Sequence, residues 1–264
     1  MMRRSTVLLA LLLAGWGAVK VGWEERLRLE RERLRFHGVP VNMHVREQMG
    51  QGMTLALLSG FRGVVADFVW LGVTGAWAEK EWFKVKNLVD LATTLQPRSL
   101  MFWEMGGWHL AWNASIDKRM NPAEPSEARR IREERFWIEE GRKVFQRGAE
   151  NNPDRYRMWL QLAWVYDQKL KNFPEAARYY RKAASYEEAP IYIERFAGYA
   201  LEKAGDDQAA YDYWKGLWMR PLPRTDPQRA WDKIEAKIRA LENKLKIPRD
   251  KRVFPDITTS SNRF

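Results

Sequence analysis

The sequence predicts an all-α protein, an α-solenoid of helical hairpins preceded by a hydrophobic anchor helix. Three observations carry this expectation. From residue 82 onward, apolar and small residues recur at three- and four-residue intervals, the spacing of one helix face. Prolines at 97, 153 and 190 punctuate the pattern, and the last two lie 37 residues apart. The first gap, 56 residues, contains KRMNPAEPSEARR, a polar segment with two prolines. Read as an insertion, that segment brings the two gaps close to one period, the mark of stacked hairpins.

The chain of 264 residues is long enough to bury a substantial core. It has no cysteine, which excludes disulfides and thiolate chemistry. The net charge is +11, and from Met219 onward twelve Lys or Arg stand against six Asp or Glu. A basic end of this kind suits anionic lipid, an acidic partner or nucleic acid, and charge alone does not choose among them.

Residues 1–23 form the first element. Arg3 and Arg4 precede an uncharged run from Ser5 to Val19, followed by Lys20. As a helix the run spans about 22 Å, short of a hydrocarbon core of about 30 Å. Extension to Trp23, with the Lys20 amine reaching to the interface, brings it close. A signal peptide requires small residues before its cleavage site, and Trp16 stands three residues before any cut near Ala18. The segment therefore reads as an uncleaved inner-membrane anchor, with Arg3 and Arg4 cytoplasmic and the bulk of the chain periplasmic. Cleavage and secretion is the alternative.

Residues 24–63 comprise a charged helix and a connecting segment. EERLRLERERLRF, residues 24–36, carries pairs such as Glu24–Arg28 and ends before Gly38 and Pro40. The apolar region Met53–Trp77 is long enough to suggest a second membrane span. Arg62 and Asp67 would then lie in hydrocarbon, and Gly60 and Gly63 divide the run, so buried soluble helices fit better. A partly buried Asp67 needs a partner, for which Arg62 is the candidate.

Residues 64–220 hold the repeats, with an insertion near 114–135. Trp159, Leu162, Ala163 and Tyr166 fall on the first helix of one unit, and Ala176, Tyr180, Ala183 and Pro190 on its second. The following unit offers Gly198, Gly205, Ala210, Trp214 and Leu217. The preceding one offers Trp103, Gly107, Gly141, Phe145, Gly148 and Pro153. Upstream, Trp82, Val85, Val89, Ala92 and Pro97 match the second helix of a degenerate first unit. These positions resemble the tetratricopeptide repeat (TPR) pattern: an aromatic, Leu-Gly and Tyr on one helix, then Ala, an aromatic, Ala and Pro on the next. Ala163 stands where glycine is usual, and the opening aromatic of the unit with Gly198 is missing. More broadly, the chain resembles a membrane-anchored bacterial envelope TPR protein.

The packing logic is that a small residue such as Gly107 or Ala163 faces a small one such as Gly141 or Ala176. Trp103 and Trp159 fill the spaces beside them, and Phe145, Tyr180 and Trp214 wedge against the next unit. Trp103, Gly107, Phe145, Trp159, Ala163, Ala176, Tyr180, Gly198, Ala210 and Trp214 are therefore the expected structural lock. Residues 221–264 form a capping helix and a basic tail. TDPQRAWDKIEAKIRALENKL opens at Thr225 or Asp226 as N-cap, with Pro227 in the first turn. Trp231, Ile234, Ile238 and Leu241 form its apolar stripe.

No glycine-rich phosphate loop, His-Glu metal motif or nucleophile elbow is present, so no catalytic residue, metal or cofactor is expected. The three histidines, His37, His44 and His109, are scattered. His109 sits between two tryptophans and reads as a packed, hydrogen-bonded side chain. Asn113-Ala-Ser fits a glycosylation pattern that matters only in a eukaryotic secretory route. The TPR resemblance implies that the first helix of each pair lines a concave groove. Carried over by position, the lining is Met101, Glu104, Trp108, Ala111 and Trp112; then Arg157, Leu160, Trp164, Asp167 and Gln168; then Tyr192, Arg195, Tyr199 and Glu202. Aromatic surface with mixed charge suits an apolar helix or extended peptide of another envelope component. The alternative is that the N-terminal hairpin, the insertion or the chain's own tail fills the groove. The expected function is a non-catalytic, membrane-tethered scaffold. A nucleic-acid adaptor is the poorer fit, because a periplasmic domain does not meet chromosomal DNA. An enzyme would need a second acid beside Glu104 or Asp67 in a deep cleft.

Overall fold

The computed structural model describes Arg26 and residues 60–222, 225–226 and 229–255. The expected anchor over 1–23, and the 24–63 segment apart from Arg26 and residues 60–63, lie outside the described residues. The chain divides between Thr54 and Leu55, and the helices below all belong to the part that starts at Leu55.

Among the described residues the structure is helical and contains no strand. α1 (Arg62–Ala78) and α2 (Trp82–Leu95) pack on each other. α3 runs Leu100–Trp108, continues through a π-helical turn His109–Ala114 and ends as Ser115–Arg119. α4 (Glu127–Asn151) returns along it. α5 runs Tyr156–Trp164 and passes into a second π turn, Val165–Lys169. α6 (Phe173–Ala184), α7 (Tyr192–Ala204), α8 (Asp207–Trp218) and α9 (Trp231–Lys244) follow. Each helix packs chiefly against its neighbours in the chain. Among the described residues no helix is long and apolar enough to cross a membrane.

The ends of the helices follow from local chemistry. The Ser126 hydroxyl accepts from the Arg129 amide, the Asn172 side chain from Glu175 and the Asp206 carboxylate from Ala209, each satisfying an orphan donor of a first turn. Gly205 closes α7 in the left-handed region, φ 77°, at a place where a Cβ would be strained.

Close helix contacts explain the small residues. A Cβ on Gly107 would meet the Phe145 ring at 2.5 Å, and one on Gly198 would meet the Trp214 ring at 2.4 Å. Gly141 lies as tightly against Ala111. Trp103, Phe145, Ala163, Ala176, Tyr180, Gly198, Ala210 and Trp214 are all buried. Trp159 differs, being only partly buried: its ring stacks on Tyr179 at 6.2 Å. Both indoles donate to the carbonyl of the proline six residues earlier, Trp103 to Pro97 (2.8 Å) and Trp159 to Pro153 (3.3 Å). The π turns of α3 and α5 begin six residues after these tryptophans, so α3 and α5 repeat each other beyond composition.

Three expectations change. The insertion near 114–135 is mostly helix: it lengthens α3 to Arg119 and starts α4 at Glu127, leaving Pro122 and Pro125 in a short loop that ends at the Ser126 cap. Asp67 is exposed rather than paired in the interior, and Arg62 reaches the Thr94 carbonyl at 3.5 Å. α9 begins at Trp231, later than Thr225 or Asp226, because Ala230 takes a left-handed conformation (φ 48°) that interrupts the helix. Its stripe of Trp231, Ile234, Ile238 and Leu241 is buried. The tail as far as Pro255 folds back onto α8 and α9. The Glu242 carboxylate accepts from the Val253 amide at 2.5 Å, and Phe254 lies between Trp218 (4.8 Å) and the Arg239 guanidinium (4.6 Å).

Candidate functional site

The groove-lining residues of α3 separate into exposed and covered members. Met101 and Trp108 are exposed at 49% and 39%, and Met105, one turn before Trp108, at 42%. Trp112 is half-buried and stacks on Trp108, with ring centroids 4.4 Å apart and planes 6° from parallel. This pair spans the entry to the π turn, where the widened helical turn carries Trp112 over its neighbour. The Lys169 ammonium lies 5.5 Å from the Trp112 ring and donates to the Ser115 hydroxyl at 3.3 Å. Burial holds Lys169 below the ordinary lysine value. The result is a flat aromatic platform, flanked by two methionines and edged by one cation.

Other lining residues are joined to one another. Glu104 accepts two hydrogen bonds from Arg157, at 2.7 and 2.6 Å, tying α3 to α5. Both oxygens of the carboxylate considered for catalysis are therefore occupied. Asp167 of α5 meets Lys203 of α7 at 2.7 Å, and Glu202 of α7 meets Lys237 of α9 at 2.7 Å. In each case the acid is on the earlier helix and the base on the later one. The three pairs form an electrostatic ladder across the first helices of successive hairpins.

Leu160 and Asp167, expected on the open face, are buried, each only 6% exposed, and Ala111 is fully buried against Gly141. Asp167 accepts from the Tyr180 hydroxyl (3.1 Å) as well as from Lys203. Burial, reinforced by that carboxylate, pushes the Tyr180 hydroxyl far above the ordinary tyrosine value. Trp164 is half-buried, while Arg157 and Gln168 are exposed.

The face of α7 is largely engaged by the closing region. Arg195 donates to the Arg229 carbonyl at 3.1 Å, the Lys237 ammonium lies 5.2 Å from the Tyr199 ring, and Glu202 also accepts from the Trp214 indole at 2.9 Å. Tyr192 stays exposed at 43%. The surface left open therefore lies on α3 and α5.

His109 begins the first π turn. Its ring lies 5.5 Å from Trp77 and 6.4 Å from Trp70, and its Nδ1 is 3.2 Å from the Asn113 amide. Burial lowers its pKa below the ordinary histidine value. Ser115, the third residue of the glycosylation pattern, is buried and donates to the Ala111 carbonyl at 2.6 Å. Among the described residues no group of three or more His, Cys, Asp or Glu is placed to hold a metal ion.

Sequence reasoning passed over Met105 and Lys169. Met105 sits four residues from Met101, a helical spacing that could have found it; Lys169 reaches Trp112 only through tertiary packing. No family model matches the chain, and no curated protein matches it.

Proposed function

We propose that this protein is a non-catalytic, membrane-tethered scaffold whose hairpins stack as a TPR-like α-solenoid and bind a protein or peptide partner on the face of α3 and α5. The observation that carries the reading is the stacked Trp108–Trp112 pair, whose Trp108 is open to solvent beside Met101 and Met105. Large aromatic area held rigid by its own stacking loses little entropy on binding, and tryptophan is the residue type that most often anchors an interface. The methionines adapt to irregular apolar side chains. Lys169, Arg157 and Gln168 supply polar contacts at the rim, so an amphipathic or extended segment of another envelope component is the partner that fits. Residues 1–23 provide the tether to the inner membrane, with the helical part in the periplasm.

The test is crosslinked capture from native membranes by the full chain and by Trp108→Ala. A partner recovered with the wild type should fall about tenfold or more with the variant, as for a hot-spot tryptophan. The thermal melt should stay unchanged. Equal recovery by both proteins, or a large loss of melting temperature, overturns the reading.

A further inference from the structure

A different surface, on α1, has no role in the groove. Phe61, Val64, Phe68 and Leu71 are exposed at 58%, 50%, 64% and 66%. Gly75 and Ala78 are exposed as well. These six positions alternate spacings of three and four residues, which is the seam of a helix that pairs with another helix. The row lies away from the buried face of α1, formed by Val65, Ala66, Val69, Val73 and Ala76.

We propose that this stripe is a dimer seam, along which α1 packs antiparallel against α1 of a second copy of this chain.

The first argument is shape. The stripe is bulky at its start and middle, with Phe61, Val64, Phe68 and Leu71, and small at its end, with Gly75 and Ala78. An antiparallel two-fold axis between Phe68 and Leu71 sets Phe61 on Ala78, Val64 on Gly75 and Phe68 on Leu71, so each layer joins a larger residue to a smaller one. A parallel pair would crowd phenylalanines together at one end and leave a gap at the other. The second argument is Gly75 itself. Glycine inside a helix weakens it relative to alanine. Gly63, Gly72, Gly106, Gly107, Gly141, Gly148 and Gly198 each meet a neighbour within 3.3 Å of a Cβ position. Gly75, like Gly216 of α8, meets nothing within 4 Å, and of these two Gly75 is the one that lies in an exposed apolar row. Close approach by a helix from another copy gives this open glycine a partner.

Charge points the same way. Between Gly63 and Ala78 the sole charged residue is Asp67. The two-fold axis sets it near Thr74 of the second copy, so no like charges meet. A helix lying on anionic lipid instead carries Lys and Arg along its polar flank. In α1 the single cation, Arg62, reaches the Thr94 carbonyl of its own chain. Pairing the two stripes removes on the order of 1,000 Å² from water over both copies, at the threshold for a specific interface.

The absence of cysteine makes the test direct. Full-length Phe61→Cys and Ala78→Cys chains, separately tagged, are produced in native membranes singly and together and treated with a short bis-maleimide. The seam requires a crosslinked dimer when the two are mixed and at least tenfold less when either is alone. Adding Gly75→Leu to both chains should reduce the mixed crosslink at least tenfold while leaving the circular-dichroism melt unchanged. Crosslinks within each single variant, which a parallel pair would form, overturn the proposal. So does an absent crosslink, whether the thiols label freely with a water-soluble maleimide or are shielded from it by lipid or by another part of the chain. An unaltered crosslink in the Gly75→Leu chains also overturns it.

Discussion

The ring of Phe145 lies 2.5 Å from where Gly107 would carry a Cβ, and that contact draws α3 against α4 at the start of the π turn. Both the ring and Gly107 are buried, leaving neither side room to retreat. Gly107→Ala should therefore cost about 1–3 kcal/mol, the range for overpacking a filled core. A shifted urea midpoint with an unchanged slope is the expected result. An unmoved midpoint would show that Phe145 has space to turn.

The two repeat tryptophans should separate in energy. Trp103 is 3% exposed, so Trp103→Ala should destabilise by about 3–5 kcal/mol. Trp159 keeps contact with solvent and its Nε1 hydrogen bond is longer, at 3.3 Å, so its truncation should cost clearly less. Equal losses in parallel denaturant titrations would contradict this ranking.

Asp167 is the buried carboxylate of the ladder and joins Tyr180 to Lys203. Lys203→Met leaves the carboxylate with less compensation, and a loss of about 1.5–3 kcal/mol is expected for a hydrogen bond to a charged group. Lys203 is itself nearly half exposed, which places the outcome toward the lower end. In a double-mutant cycle with Asp167→Asn the two losses should be non-additive. Simple additivity would mean that the pair does not couple α5 to α7.

His109 predicts a pH dependence. Burial favours its neutral form in the folded chain, so its folded pKa lies below the unfolded value of about 6.5. Its contribution is complete above the unfolded pKa and is lost as pH falls through that value toward the folded one. Between pH 7.5 and pH 5, the melting temperature of the wild type should fall more steeply than that of His109→Gln. Parallel curves would remove His109 as the source.

Much of this architecture is legible in the residues. Helical spacing determines which side chains share a face, and small residues spaced against aromatics mark where two helices touch. Thus the lock positions Gly107, Gly141, Phe145, Gly198 and Trp214 and the stripe of α9 could be written down from the sequence, whereas the contacts of Gly107 with Phe145 and of Gly198 with Trp214 came from the packing. The candidate site was legible only in part, because a face becomes a surface only if no neighbour covers it. Trp108 and Leu160 both belong to faces read as groove lining; α3 leaves the first open, and packing among α5, α6 and their neighbours buries the second. The same holds for Asp167, whose partners Tyr180 and Lys203 come from two other helices. The π turns, the fold-back of Val253 and Phe254 onto α8 and α9, and the arrival of Lys169 at Trp112 have no local signal.

By itself, the sequence determined the helices and the small and aromatic positions at which they touch, since both depend on residue type and a 3.6-residue period. The tertiary structure alone decided which aromatics remain open, which carboxylates are consumed as inter-helix pairs and where the exposed stripe of α1 ends. Those outcomes depend on which helix arrives alongside, and burial is a property of the assembled neighbours rather than of the segment that carries the residue.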